Sequence, residues 1–350
     1  MPFSTALEPE SLVEHFLAHP PQDFTAHRSA SGMPVFQARF DLLTTMDDAL
    51  RRRIAGLPLY RRWGGLLRWR TRFAGCTVTE YAPLPSRAAP AALAEELLAA
   101  YGRECALLIV KDLPQDSPLL DVHANAQARA FAAALVARGF VLLEGMPLAW
   151  VPIDFDSVDD YLARLSASRR KDIRRKLRAR ERLQVDALAT GAAFADPAVV
   201  EEFYALYANV HAQSEIHFDL LDQTFFGAVL QDAASGGVVF AWRSEGRLIG
   251  WNLCYEYGGM LVDKYVGFAY PQAREHNLYA VSWMHNLEYA RQRNLSHYVA
   301  GWTDAAIKSY LGATLSMTRH AVYLRNPLLR ALLRRCAHWF EGEATSGAAR

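Results

Sequence analysis

The stretch Met260-Leu261-Val262-Asp263-Lys264-Tyr265-Val266-Gly267, followed by the turn Tyr270-Pro271-Gln272-Ala273-Arg274, decides the fold. The first run reads as a strand, paired with 253–256 around Tyr257-Gly258-Gly259. The turn leads into a helix that continues to about residue 293. A strand at 295–299, the turn Gly301-Trp302-Thr303-Asp304 and a short helix at 305–311, closed by Gly312, complete the pattern. A helix that begins where a strand stops aims its free N–H groups at whatever occupies the strand end. That geometry suits a phosphate, or a carbonyl about to become an oxyanion.

Working outward, 350 residues suffice for about two domains. The hydrophobic and charged fractions, 51% and 21%, are those of a globular protein with a sizeable core. A net charge of +1 argues against a surface built to coat nucleic acid but leaves room for a local basic patch. Cys76, Cys105, Cys254 and Cys336 lie far apart, so neither a disulfide framework nor a structural zinc site is expected, and no metal. Cys254, in an apolar strand, reads as a small buried hydrophobe. The apolar run 130–151 is interrupted by Arg138 and Glu144, and the N-terminus lacks a basic, then apolar leader. The expectation is a cytoplasmic protein without a membrane span.

Residues 33–43 alternate as a strand. Residues 46–75 are dense in arginine and tryptophan, which fits either an anionic-substrate groove or an amphipathic surface helix whose arginine stems cover apolar neighbours. Helix, strand, helix, strand follow at 89–101, 106–111, 124–137 and 140–144, the second helix ended by Arg138-Gly139. The same helix-to-strand pattern returns at 274–300, which suggests two related halves. Residues 153–168, with Asp154, Asp156, Asp159 and Asp160, read as the crossover between a domain at 1–152 and another at 169–340; 341–350 reads as a tail.

The second half opens on a basic helix, 169–182, in which Arg170, Arg174 and Arg178 share a face. A strand at 183–188, helices at 197–211 and 221–233, and a strand at 237–242 follow. Ser244-Glu245-Gly246-Arg247 turns the chain into 248–255. An arginine- and leucine-rich helix spans 327–340.

Two helices, an antiparallel meander, then strand–turn–helix–strand–helix–strand, is similar to the GNAT acyltransferase fold. Two such halves in one chain resemble the FemAB-like, or BioF2-like, acyltransferases of the peptidoglycan-biosynthesis type. The residues that carry this are Tyr161–Leu165 running into Arg169–Arg175, Lys264–Phe268, Asn277-Leu278-Tyr279, and Gly301 with Lys308 and Gly312. The resemblance covers 150–325 well and 30–150 by pattern alone. It implies an α/β fold of two tandem GNAT-like halves, the first degenerate, each a mostly antiparallel mixed sheet flanked by helices. It also implies an N-acyltransferase that moves an acyl or aminoacyl group from acyl-CoA or aminoacyl-tRNA to a small-molecule or cell-wall-precursor amine. Donor contacts are then expected from Val266, Gly267, Gln272, Arg274, Asn277 and Tyr279. One departure stands out. Glu275 replaces a glycine of the usual phosphate-cradling loop, and its carboxylate repels phosphate by roughly 1 kcal/mol, partly offset by Arg274 and the helix end.

Transfer to an amine needs a base, oxyanion donors and an acid for the leaving group. Glu256 and Asp263 are the candidate bases. Strict alternation puts Asp263 and Tyr265 on one strand face, with Lys264 and Val266 on the other. Tyr265 and Tyr279 are candidate proton donors. His276 falls in the first turn of the long helix, which favours a neutral ring. Lys308, one turn past the candidate N-cap Thr303, would face an anion. Arg170, Arg174, His211, His217 and Trp302 are candidates for substrate or phosphate contact. Two competing readings are a nucleic-acid-binding module built on the basic helix and an inactive GNAT-like scaffold.

Overall fold

The computed structural model describes residues 2–42, 52–54, 56–58, 60–214 and 218–337. In chain order the longer elements are α1 (Glu10–Ala18), β1 (Thr25–Arg28), β2 (Pro34–Asp41), β3 (Arg68–Ala74), α2 (Pro90–Tyr101), β4 (Leu107–Pro114), α3 (Val122–Ala137) and β5 (Val141–Pro152). They continue with α4 (Val158–Ala163), α5 (Ala167–Leu177), β6 (Gln184–Ala189), α6 (Pro197–Gln213), α7 (Gln223–Leu230), β7 (Gly237–Ser244), β8 (Arg247–Tyr257) and β9 (Met260–Phe268). The last are α8 (Leu278–Gln292), β10 (His297–Gly301), α9 (Ala305–Leu311), β11 (Thr314–Leu324) and α10 (Pro327–Cys336).

The chain forms two compact units. The first takes in the chain up to Ala6, Phe16–Met146 and the chain from Met317 on; the second takes in Leu7–His15 and Pro147–Ser316. This division is not a single cut in the sequence. Residues from Met317 join the first unit because β11 pairs antiparallel with β4, from Thr318 against Pro114 to Leu324 against Leu107.

In the first unit the strand order is β1-β2-β3-β4-β11, with β3 and β4 parallel and the other pairs antiparallel. Its core joins Val35, Ala74, Leu97, Val110, Phe131 and Phe140. Asp121 caps α3 by accepting from Ala124 N–H at 2.7 Å. Gly139, at φ +90°, closes the helix, its N–H bonded to Val136 O and that of Phe140 to Leu135 O. Between β4 and β11 the register slips so that Lys111 and Asp112 oppose His320 alone, a bulge that puts Asp112 at φ +59°.

In the second unit the order is β5-β10-β9-β8-β7-β6, with β9 and β10 parallel. Two-residue turns with both central φ angles positive join β7 to β8 (Glu245-Gly246) and β8 to β9 (Gly258-Gly259). One sheet face packs on Tyr161 and Leu162 of α4, Ile173 of α5 and Trp283, Met284 and Leu287 of α8. The opposite face carries α6 and α7: Trp251 donates its indole N–H to Phe203 O of α6 at 2.8 Å and lies against Phe226 of α7. Burying an indole of this kind removes roughly 200 Å² from water, which stabilises by about 5 kcal/mol as an upper bound.

Several expectations are corrected. Residues 68–74 form β3, not a helix; the Arg72 side chain is buried there, donating to Gln37 and Glu104 and lying over Tyr101. Residues 46–51, 55 and 59 of the arginine-rich stretch lie outside the described residues. The expected crossover, 153–168, contains α4, which Ser157 caps and whose Tyr161 and Leu162 are core residues. The long helix expected from 274 is broken: Gln272–Glu275 forms a single turn, and Asn277, at φ +51°, separates it from α8. The residue before α9 is Asp304 rather than Thr303, and its side chain makes no cap bond.

Candidate active site

Where β9 and β10 run parallel, pairing extends only from Met260 against His297 to Val262 against Val299. Beyond that, β10 pairs with β5 out to Gly301, and β9 continues with β8 as its partner. Among the described residues no strand covers the freed edge of β9 after Val262. Asp263 is the first residue past the fork.

At the same place the β8–β9 register slips: Leu253 faces Tyr265, Cys254 faces Asp263, and Lys264 is the extra residue. The bulge breaks the alternation assumed from the sequence. Asp263 points to α8, where Asn286 donates to its Oδ2 at 3.0 Å and Tyr298 of β10 does so at 2.8 Å. Tyr265 points to the other sheet face, among Tyr207, Phe225 and Phe226. Asp263 and Tyr265 are therefore not side by side. The extra residue, Lys264, meets Glu8 at 2.9 Å, with both side chains almost wholly buried.

The Asp263 carboxylate belongs to a buried chain of polar groups. Trp242 donates to Asn252, Asn252 to Asn286, and Asn286 to both Asp263 and Tyr298. Burial raises the Asp263 pKa to about 6, opposed by the Tyr298 hydrogen bond and the Lys308 charge. Its Oδ1 is enclosed and has no hydrogen-bond partner. Lys308 is itself buried on α9. Tyr279 lies close enough that the charges of Asp304 and Asp263 add to burial in raising its hydroxyl pKa.

A cleft of about 320 Å³ opens nearby, lined by Tyr161, Arg164, Arg169, Ser309, Gly312 and Thr314 among others, but not by Asp263 or Lys308. Tyr161 donates to Leu311 O at 2.6 Å, and burial pushes its hydroxyl up to about 12. Gly312, at φ +108°, leaves the room: a Cβ there would sit 2.3 Å from the Tyr161 oxygen. Arg169 donates to Ser309 O at 2.6 Å and to Tyr310 O at 2.8 Å, neutralising the C-terminal end of α9.

The remaining sequence-derived candidates are dispersed. Glu256 is taken up by Arg293 at 3.0 Å and Tyr289 at 2.7 Å, at the far end of α8. His276 sits in the helix break, its Nε2 3.2 Å from Ser244 Oγ. His211 lies beside Tyr207 on α6, the two rings tilted by 42°, and His217 lies outside the described residues. Trp302 is in the turn between β10 and α9. The basic helix is α5 followed by a tighter turn, Arg178–Arg182, and much of its charge is committed. Arg170 donates to Ala163 O, Arg174 pairs with Asp159, and Arg175 and Lys176 pair with Asp172. Those two cations and the Tyr310 hydroxyl hold the Asp172 carboxyl well below the usual range.

A coenzyme A pyrophosphate would need free backbone N–H groups at 272–277. Those of 273–277 are spent internally: Ala273 on Ala269 O, Arg274 and Glu275 on Pro271 O, His276 on Gln272 O and Asn277 on Arg274 O. Arg274 also lies over the Tyr270 ring and contacts Gln213. The segment does not fit a pyrophosphate in the usual pose.

Sequence reasoning missed Tyr298, Asn286 and Asn252. A signal for Asn286 was present: it is an amide inside the otherwise apolar face Trp283, Met284, Leu287 of a buried helix, where a polar group must find a partner.

The β9–β10 fork thus carries the Asp263 carboxylate at its opening, and α8 follows the free end of β9. The chain belongs to the FemAB-like family, described as peptidoglycan biosynthesis/recognition, whose model matches residues 92–342. The fold is shared with L-PGS from Bacillus licheniformis, at a TM-score of 0.54 and 11% identity over 94% of this chain and 97% of that one. It is shared with the C-terminal domain of a putative lysylphosphatidylglycerol synthetase from Agrobacterium fabrum, at 0.53 and 13% over 93% and 90%. FemX superposes at 0.50 with 13% identity over 93% and 98%. None of the curated proteins compared with the chain matches it in sequence.

Proposed function

We propose that the protein transfers an aminoacyl group from aminoacyl-tRNA to the primary amine of a small molecule or cell-wall precursor, with Asp263 as general base. The observation that carries this is the Asp263 carboxylate at the β9–β10 fork, with its pKa at about 6 and an unpartnered Oδ1. A base poised there is mostly ionised at neutral pH yet still basic enough to take a proton in the transition state. The amine nitrogen attacks the ester carbonyl carbon, and Asp263 accepts the proton the nitrogen sheds. The tetrahedral intermediate collapses, the bond to the ribose oxygen breaks, and that oxygen takes the proton from Asp263. The products are an amide and tRNA with a free hydroxyl. The freed edge of β9 offers backbone N–H groups to the developing oxyanion. The Lys308 ammonium keeps Asp263 from drifting further toward its neutral form.

The choice of ester over thioester is supported by the closed backbone at 273–277, since a tRNA ester needs no pyrophosphate cradle there. The family description supports a peptidoglycan-related acceptor, and the reaction would take place in the cytoplasm. Purified protein is incubated with labelled aminoacyl-tRNA or labelled acyl-CoA and a panel of amines, including peptidoglycan precursors. The expected result is label moved from tRNA to an amine by the wild type and lost in Asp263→Asn. Transfer from acyl-CoA alone would overturn the donor. Equal transfer by wild type and Asp263→Asn would overturn the role of Asp263, and no transfer from either donor would overturn the reading as a whole.

A further inference from the structure

The basic run at 169–182 is left over once Asp263, Lys308 and their partners are accounted for. Within α5, Ile173 alone is buried. At about 100° per residue, Lys171 and Arg175 stand about 160° away from it, one to either side, and Arg174 about 100° away. The tighter turn Arg178–Arg182 follows directly. Lys171, Arg174, Arg175, Arg178, Arg180 and Arg182 are all exposed. Few carboxylates oppose them. Asp172 is shared by Arg175 and Lys176. Arg174 meets Asp159 of α4, but the two side chains are 54% and 77% exposed, so a phosphate can displace the aspartate. Among the described residues Lys171, Arg178, Arg180 and Arg182 form no ion pair. Residues 167–182 contain nine lysines and arginines against Asp172 and Glu181, a balance of +7. The whole chain carries +1, so everything outside this segment sums to −6. The positive charge is local.

α5 is also tied to the helix that carries Lys308. Tyr310 of α9 donates its hydroxyl hydrogen to Asp172 at 2.9 Å, and Arg169 donates to the Ser309 and Tyr310 carbonyls. The Tyr310 ring is exposed, with Arg169 and Lys176 over it at 5.3 and 5.5 Å. Cations set around an exposed aromatic ring suit a polynucleotide, whose phosphates take the cations and whose bases stack. A phospholipid surface would need large apolar side chains to sink into it, and none is exposed between 158 and 182. Among the described residues no helix is long and apolar enough to cross a membrane either. We infer, resting on the reading of the donor as aminoacyl-tRNA, that the exposed ridge of α5 and its following turn binds the sugar–phosphate backbone of that tRNA, with Lys171, Arg174, Arg175, Arg178 and Arg182 on the phosphates. The RNA then lies against a helix bonded to the one that carries Lys308, on the unit that holds Asp263.

The test is binding of fluorescently labelled, deacylated tRNA to the full chain, followed by anisotropy at a series of salt concentrations. For the wild type, the logarithm of the binding constant is expected to fall linearly with the logarithm of salt. Lys171→Ala with Arg178→Ala should weaken binding at least about tenfold and flatten that slope by about two, one per phosphate contact. Arg87→Ala with Arg103→Ala, which removes two exposed arginines from the first unit, should leave affinity within about twofold. Both double variants should keep the wild-type melting temperature. Failure of the wild type to bind, or a Lys171 and Arg178 variant that binds like it, would overturn the assignment of the ridge. Equal weakening by the two double variants would overturn it in favour of diffuse attraction. Pelleting with phosphatidylglycerol vesicles that needs Lys171 and Arg178, in a protein that ignores tRNA, would overturn it in favour of a lipid surface. Since deacylated tRNA cannot react, the readout is independent of catalysis. Binding that depends on Lys171 and Arg178, without any transfer from aminoacyl-tRNA, would uphold the ridge and overturn the activity. Transfer from aminoacyl-tRNA by a protein whose tRNA binding ignores these residues would overturn the ridge alone.

Discussion

Tyr298 donates its hydroxyl hydrogen to Asp263 Oδ2 across 2.8 Å, from β10 to β9, one position past the last pair that joins the two strands. The bond spans the point at which the strands part. It also pulls against desolvation, which is the largest influence on the Asp263 pKa.

Asp263→Asn keeps the shape and the Asn286 contact but cannot accept a proton. Transfer is expected to fall about 10²–10⁴-fold in kcat, the usual worth of a general base. Stability should report the same residue. The folded-state pKa of about 6 lies above the ordinary 3.8, so the native state binds the proton more tightly than the unfolded chain. Stability associated with Asp263 is therefore lost as pH rises from about 4 to 6. Wild type compared with Asp263→Asn in chemical denaturation should lose relative stability across that window. A difference independent of pH would contradict the assignment.

Tyr298→Phe removes a bond that favours the ionised carboxylate. The acid limb of the kcat/KM profile should move above pH 6, while the rate on the alkaline plateau changes less than at pH 6. An unmoved limb would mean that another group titrates.

Glu8→Gln leaves the Lys264 ammonium buried beside a neutral amide. Breaking a buried pair from one side costs about 3–5 kcal/mol. Replacing both residues, by Glu8→Leu with Lys264→Met, should destabilise far less. Urea unfolding of Glu8→Leu, Lys264→Met and the double variant measures the difference. If the double loses the sum of the singles, the two residues are not coupled.

Gly312→Ala places a methyl 2.3 Å from the Tyr161 oxygen at a backbone φ of +108°. Strain and overpacking together should cost about 2–4 kcal/mol. Adding Tyr161→Phe is expected to restore part of it, because the oxygen is the atom in the way. Thermal melts of the single and double variants give the answer.

The second unit was legible in the sequence because its signals are local. Glu245-Gly246 and Gly258-Gly259 place two hairpins, and the apolar period changes where β9 gives way to α8. The family pattern rests on the same order of elements. The candidate site was less legible for a specific reason. A bulge is a property of two strands, and nothing in Asp263-Lys264-Tyr265 alone shows that Lys264 has no opposite number. One extra residue reversed the face of Tyr265 and separated it from Asp263. Tyr298 was hidden similarly, since a tyrosine in an apolar strand reads as core until the carboxylate across the fork is seen. Residues 68–74 misled through composition: arginines that suit a surface helix are also tolerated in a strand when, as with Arg72, a glutamate and an aromatic ring receive the guanidinium.

The pairing of β11 with β4 has a consequence for how the chain is made. The first unit's sheet needs a strand from near the end of the chain, whereas the second unit has every strand it uses by Ser316. During synthesis the second unit can close first, with the first left open along β4 until residues 318–324 emerge from the ribosome. That open edge would carry a row of unpaired N–H and C=O groups next to Leu107–Val110, a segment apolar enough to recruit the wrong strand. A chain halted at Ser316 would hold this state permanently, and aggregation rather than simple loss of activity is the failure expected of it.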